Sequence, residues 1–190
     1  MKTAIKNKSF WGMVLIAIVA MVANSALAQK SKEAHFRGTL NDYTPQTVMP
    51  GGPWEVRGQW SLTLKGNGKA DFSAALNMER SDLGVMNTGG GDLNDPIDRK
   101  AHTHHLFLCD GNVTFPAKGV IEVSGGNVNI TANGGTPPFG TDNTLTIEIT
   151  GGSGPNSVAF SNIQVTFGND AQQHFGLSPL NGVVRSVRWY

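Results

Sequence analysis

The stretch WEVRGQWSLTLK, residues 54 to 65, alternates without a fault. Trp54, Val56, Gly58, Trp60, Leu62 and Leu64 fall on one side; Glu55, Arg57, Gln59, Ser61, Thr63 and Lys65 fall on the other. A period of two is the mark of a strand with one buried face and one wet face. The next residues, KGNGK (65 to 69), bring glycines that accept the positive φ of a tight turn. ADFSAALNM (70 to 78) then alternates again through Ala70, Phe72, Ala74, Leu76 and Met78. Two long one-faced strands joined by such a turn make an antiparallel hairpin. A hairpin of this length must cover its apolar face with more sheet.

Shorter strands that can supply the cover are expected at 34–40, 102–109, 112–116, 119–124, 127–132, 143–150, 157–167 and 182–189. In 157–167 the apolar phase shifts from Val158 and Phe160 to Ile163, Val165 and Phe167, which predicts a β-bulge near Ser161 and Asn162. After the first segment of the chain no window carries a helical period, apart from one turn at NDAQQHF (169 to 175) with Asn169 or Asp170 as its cap. Long connections are expected at 81–101, 132–142 and 168–182. The pattern predicts an all-β fold, a single antiparallel β-barrel, because closure hides strand edges and lets each apolar face point inward. A β-sandwich or jelly roll is the alternative. The triplet Gly58-Gln59-Trp60 resembles the Gly-x-Trp signature of lipocalins, and the resemblance implies a lipocalin-like (calycin-like) barrel with Arg185 or Arg188 lying over Trp60.

Residues 1 to 28 are set apart by composition. Lys2, Lys6 and Lys8 precede the apolar run FWGMVLIAIVAMVA (10 to 23), and Ala-Leu-Ala at 26–28 offers small residues before a cut. That is the layout of a secretory signal peptide. The expectation is a mature chain of residues 29–190, one secreted or periplasmic domain, free of the membrane after cleavage. Loss of the three lysines leaves 12 basic against 14 acidic side chains, a net charge of −2 in place of +1. With no basic stripe either, a nucleic-acid partner is excluded. The single cysteine, Cys109, excludes an internal disulfide and is expected in the core, where free cysteines are usually found.

The chemistry concentrates in RKAHTHHLFLCD (99 to 110), which carries three of the five histidines within four positions. On a strand, His102, His104, Leu106 and Leu108 share one face, and Thr103, His105, Phe107 and Cys109 share the other. Both faces turn apolar downstream, so periodicity leaves open which one is inside. Two histidines at i and i+2 put both rings on one side, close enough for one metal ion to bridge. His-x-His on a strand resembles the way cupins and α-type carbonic anhydrases present two ligands. The cupin glycine before the first histidine and the glutamate after the second are here Pro96 and the run Leu106 to Leu108, so that family's full pattern is not met. A third ligand is required, and the sequence offers His174, His35, Asp98 or Asp110 without choosing; His174 is carried as the working third ligand. The cofactor this implies is a divalent transition metal: Zn, Fe, Mn or Cu.

Other motifs are lacking. Asp92, Asn94, Asp95 and Asp98 gather acidic and amide oxygens, but Ile97 and Thr103 stand where an EF-hand needs glycine and glutamate. There is no nucleophile elbow, no His-Glu-x-x-His and no phosphate loop. Three functions fit these residues. The first is a barrel that binds a small, partly apolar ligand at a mouth lined by His102, His104 and His174. The second is a metal-dependent enzyme built on the same histidines. The third is a surface-interaction module with no small-molecule site.

Overall fold

The structure is a computed structural model that describes residues 33–45, 47–48, 53–80, 102–132, 139–151 and 160–190. The leader, the 81–101 connection with Asp98, and most of 132–142 lie outside the described residues. In chain order the strands are β1 (Ala34–Tyr43), β2 (Trp54–Leu64), β3 (Lys69–Arg80), β4 (His102–Thr114), β5 (Ile121–Gly126), β6 (Asn129–Ala132), β7 (Asn143–Thr150), β8 (Asn162–Asn169) and β9 (Leu180–Trp189). A single helical turn, α1 (Gln172–Phe175), sits between β8 and β9.

Every pairing is antiparallel, and most neighbours in the sheet are neighbours in the chain, the exceptions being β4 with β6, β5 with β7 and β1 with β9. β1 also pairs with β9, which closes the sheet into an eight-strand barrel. β4 divides its far flank between two partners: residues 112–114 pair with β5 and residues 104–107 with β6. β5 and β6 together therefore fill one place in the ring. All the described residues belong to one unit.

The hairpin read from the alternation is present as β2 and β3, in register from Trp54 opposite Arg80 to Leu64 opposite Ala70. Its even-numbered side chains point inward. Trp54, Val56, Trp60, Leu62 and Leu64 meet Phe36, Leu40, Phe72, Leu76 and the inward residues of β7 and β8 in one core. These side chains fill the barrel axis, as inward side chains of a small barrel do. Gly38 makes room for the largest of them. A Cβ there would lie 2.6 Å from Cζ2 of Trp60 and 1.9 Å from the carbonyl oxygen of Val183.

Four expectations change. The strands expected at 102–109 and 112–116 are one strand, bent by a bulge. Ala70 pairs with Gly111 and Phe72 with Leu108, so Cys109 and Asp110 together face Asp71, with Asp110 at φ 55°. Lys65 clamps the bulge through 2.7 Å contacts to both Asp71 and Asp110. Cys109, expected in the core, is exposed, because His102, His104, Leu106 and Leu108 hold the inward phase. Arg185 and Arg188 point to solvent on β9, so neither covers the inward Trp60. The helical turn exists, but Ala171 precedes it without a side-chain cap, and the Asp170 carboxylate instead accepts from the Asp142 backbone N–H.

Near residue 161 Phe160 is buried, Ser161 and Asn162 are exposed, and Ile163 is buried again, which is the expected change of phase; Val158 lies outside the described residues, and the strand expected from 157 begins at Asn162. Two outcomes test the inward and outward assignments. Trp60→Ala should cost about 3 to 5 kcal/mol in chemical denaturation. Thr63→Ala, on the outer face, should change stability by less than about 1 kcal/mol. Similar losses from both would mean the faces are misassigned. The folded protein should also titrate one thiol with a chromogenic disulfide reagent at the rate of an exposed cysteine. A thiol that reacts only on unfolding would place Cys109 back in the core.

Candidate metal centre

The inward face of β4 carries His102 and His104 at the barrel end where β4 begins. Their cross-strand neighbours on β3 are Met78 and Leu76, both fully buried. The β8–β9 connection returns across the same end, and α1 turns His174 and Phe175 inward. Phe175 fixes that turn by stacking on Phe167 of β8, with ring centroids 4.0 Å apart and planes 12° from parallel. Gly176 follows at φ 90°, against Pro45, where a Cβ would come within 2.5 Å of Cδ. A glycine is needed there on both counts.

Three imidazoles meet as a result. Nε2 of His174 lies 3.1 Å from Nε2 of His102 and 3.1 Å from Nε2 of His104. The donor nitrogens of the three all fall within 4.8 Å of one another. An ion bound at about 2.0 to 2.1 Å from each of two nitrogens at the tetrahedral angle holds those nitrogens about 3.3 Å apart. The two 3.1 Å separations from His174 are close to that ligand-shell spacing.

The walls are aromatic. Trp54 stands edge-on to His102 with centroids 4.8 Å apart, and Phe139 stacks on His174 at 5.4 Å. Phe175 lies 5.4 Å from His104. His104 and His174 are buried and His102 is half-buried. Burial is the main reason the His104 pKa falls from its ordinary value to about 3; the neighbouring His174 and His102 push the same way, and the Thr131 backbone opposes them without prevailing. Its Nδ1 has no hydrogen-bond partner of good geometry. His104 is thus held neutral, the form that offers a lone pair to a metal.

The working third ligand, His174, joins the pair. His35 does not: it sits on the outer face, bonded through Nδ1 to the Thr63 hydroxyl at 3.0 Å. Asp110 is occupied with Lys65 at the bulge. His105 lines a groove on the outer wall beside Ser73, Ala75 and Phe107. Met78, Trp54, Phe139 and Phe175 were not read as site residues. Met78 and Trp54 carried a signal, since each shares an inward face with assigned core residues at the same barrel end. Phe139 and Phe175 carried none beyond lying in two of the long connections. No family model, curated protein or solved structure matches this chain.

The depressed His104 pKa has a consequence for the metal-free protein. The unfolded chain takes up this proton near pH 6.5 and the folded chain only near pH 3, so the stabilising balance is intact above 6.5 and declines below it. From this one group stability should fall by roughly 1.4 kcal/mol per pH unit across that window. Urea midpoints of chelator-treated protein at pH 7.5, 6 and 5 measure it. His104→Leu should flatten the slope and His105→Ala should keep it. A wild-type midpoint independent of pH would contradict the assignment.

Proposed function

We propose that this protein is an exported β-barrel that binds a transition-metal ion, with His102, His104 and His174 as ligands. The observation that carries the reading is the convergence of three imidazoles, two from β4 and one from α1, with Nε2 of His174 3.1 Å from Nε2 of each of the others and all three donors within 4.8 Å. Burying three imidazoles together is costly unless their polar groups are satisfied, and Nδ1 of His104 has no hydrogen-bond partner of good geometry. An ion at this point would accept a lone pair from all three rings at once. The export part of the reading rests on the basic, apolar and small-residue order of residues 1–28.

An organic ligand at the same mouth is the alternative use of these histidines. The space beside them is already taken by Trp54, Phe139 and Phe175, which favours an ion over a larger molecule. Metal-dependent catalysis requires that the fourth position be open to water or substrate.

Calorimetric titration of chelator-stripped, tag-free protein with Zn²⁺, Co²⁺ and Cu²⁺ tests the proposal. Wild type should take up one ion per chain at micromolar concentration. His102→Ala, His104→Ala and His174→Ala should each weaken uptake by about 100-fold or more, as expected for loss of one of three ligands. His105→Ala should bind as wild type. Cu²⁺ or Co²⁺ should also quench tryptophan emission, through Trp54 beside His102. Far-ultraviolet dichroism of each variant checks that the barrel persists. Wild type that binds none of the three ions, or uptake that survives loss of the histidines, would overturn the reading.

A further inference from the structure

The composition of the centre goes further than the presence of a metal. We propose that the site selects monovalent copper, Cu(I), over divalent ions, and that the thioether of Met78 completes its ligand shell. This rests on the three-histidine reading above and deepens it.

Charge is the first argument. The buried polar side chains among the described residues are Thr44, His104, Asn143 and His174, and none is acidic. The three donors of the centre are neutral when they bind, and no carboxylate belongs to the group among the described residues. An ion seated there keeps its whole charge against aromatic walls. The cost of transferring an ion out of water rises with the square of its charge, so a monovalent ion loses about a quarter of what a divalent one loses. Sites for divalent ions commonly soften that cost with thiolate or carboxylate ligands, and the described residues offer neither at this centre.

Ligand softness is the second argument. Met78 lies directly opposite His102 in the β3–β4 pairing, and both face inward. Cβ atoms of such a pair sit about 5 Å apart, and three rotatable side-chain bonds let a methionine sulfur reach across that gap. Met78 is fully buried, so its sulfur remains inside the barrel at the level of the cluster. Thioether sulfur is a weak donor to Zn²⁺ and a good one to Cu(I), and imidazole serves both. Three imidazoles and a thioether are thus a soft, uncharged, four-donor cage. With the fourth position filled from within the chain, the centre holds copper as cargo or store and leaves no position for catalysis on bound water.

The test is competition for metal in the full mature chain under anaerobic conditions. Cu(I) is delivered from its acetonitrile complex against a chromogenic copper chelator, and Zn²⁺ is measured by calorimetry. Wild type should bind Cu(I) at least about 1000-fold more tightly than Zn²⁺. Met78→Leu keeps the volume of the side chain, so the barrel should fold as before. This variant should lose about tenfold or more in Cu(I) affinity with Zn²⁺ affinity unchanged. X-ray absorption of the copper-loaded protein should show one sulfur scatterer in wild type and none in Met78→Leu. Comparable affinities for the two ions, equal Cu(I) affinity in Met78→Leu, or a shell without sulfur would each overturn this inference. If such a protein still binds Zn²⁺ through its histidines, the metal-binding reading stands; if it binds neither ion, both fall.

Discussion

The pairing of β3 with β4 is the contact on which the rest of this molecule depends. It joins the β2–β3 hairpin to the histidine strand, and its register decides which face of β4 enters the barrel. A slip of one residue would turn His105, Phe107 and Cys109 inward and expose His102 and His104. The register is held at one end by the bulge at Cys109 and Asp110, with Lys65 clamped between Asp71 and Asp110. From there the inward phase runs back through Leu108 and Leu106 to the two histidines. The ion-pair cluster at the bulge and the imidazoles at the far end of β4 are thereby parts of one alignment.

The barrel tolerates its imidazoles because they are concentrated. Elsewhere the interior is packed with leucine, isoleucine, valine and aromatic side chains. At one end three imidazoles meet and exchange hydrogen bonds, walled by Trp54, Phe139 and Phe175. Burial and mutual repulsion suppress protonation of His104, so the cluster keeps at least one lone pair available where a solvent-exposed histidine would carry a charge. The same features that make the cluster costly to fold make it receptive to an ion.

The position of α1 completes the geometry. A four-residue turn contributes little stability by itself. It is kept in place by Phe175 on Phe167, by Gly176 against Pro45, and by the Asp170 carboxylate on the backbone of the facing connection. These three contacts aim His174 at two side chains about seventy positions earlier in the chain.

The sequence by itself determined that this chain is all-β and favoured a barrel; closure into a barrel and not a sandwich was decided by the β1–β9 and β3–β4 pairings. Strict alternation in β2, β3 and β7 can be satisfied only by strands with one face buried, and that information is local. It also identified His102 and His104 as a same-face pair, since i and i+2 on a strand leave little choice. The shift of inward phase between Phe160 and Ile163 was legible for the same reason, as a break in period. The inward face of β4 was not legible, because Leu106 and Leu108 on one side and Phe107 and Cys109 on the other are about equally apolar. Cys109 was therefore misplaced, and the bulge at Asp110 read as a gap between two strands. The choice of His174 over other third ligands, and the approach of Met78 to His102, belong to the tertiary structure alone. Both are contacts between residues distant in the chain, set by barrel register and by the path of one connection, and neither leaves a periodic trace in the residues that make it.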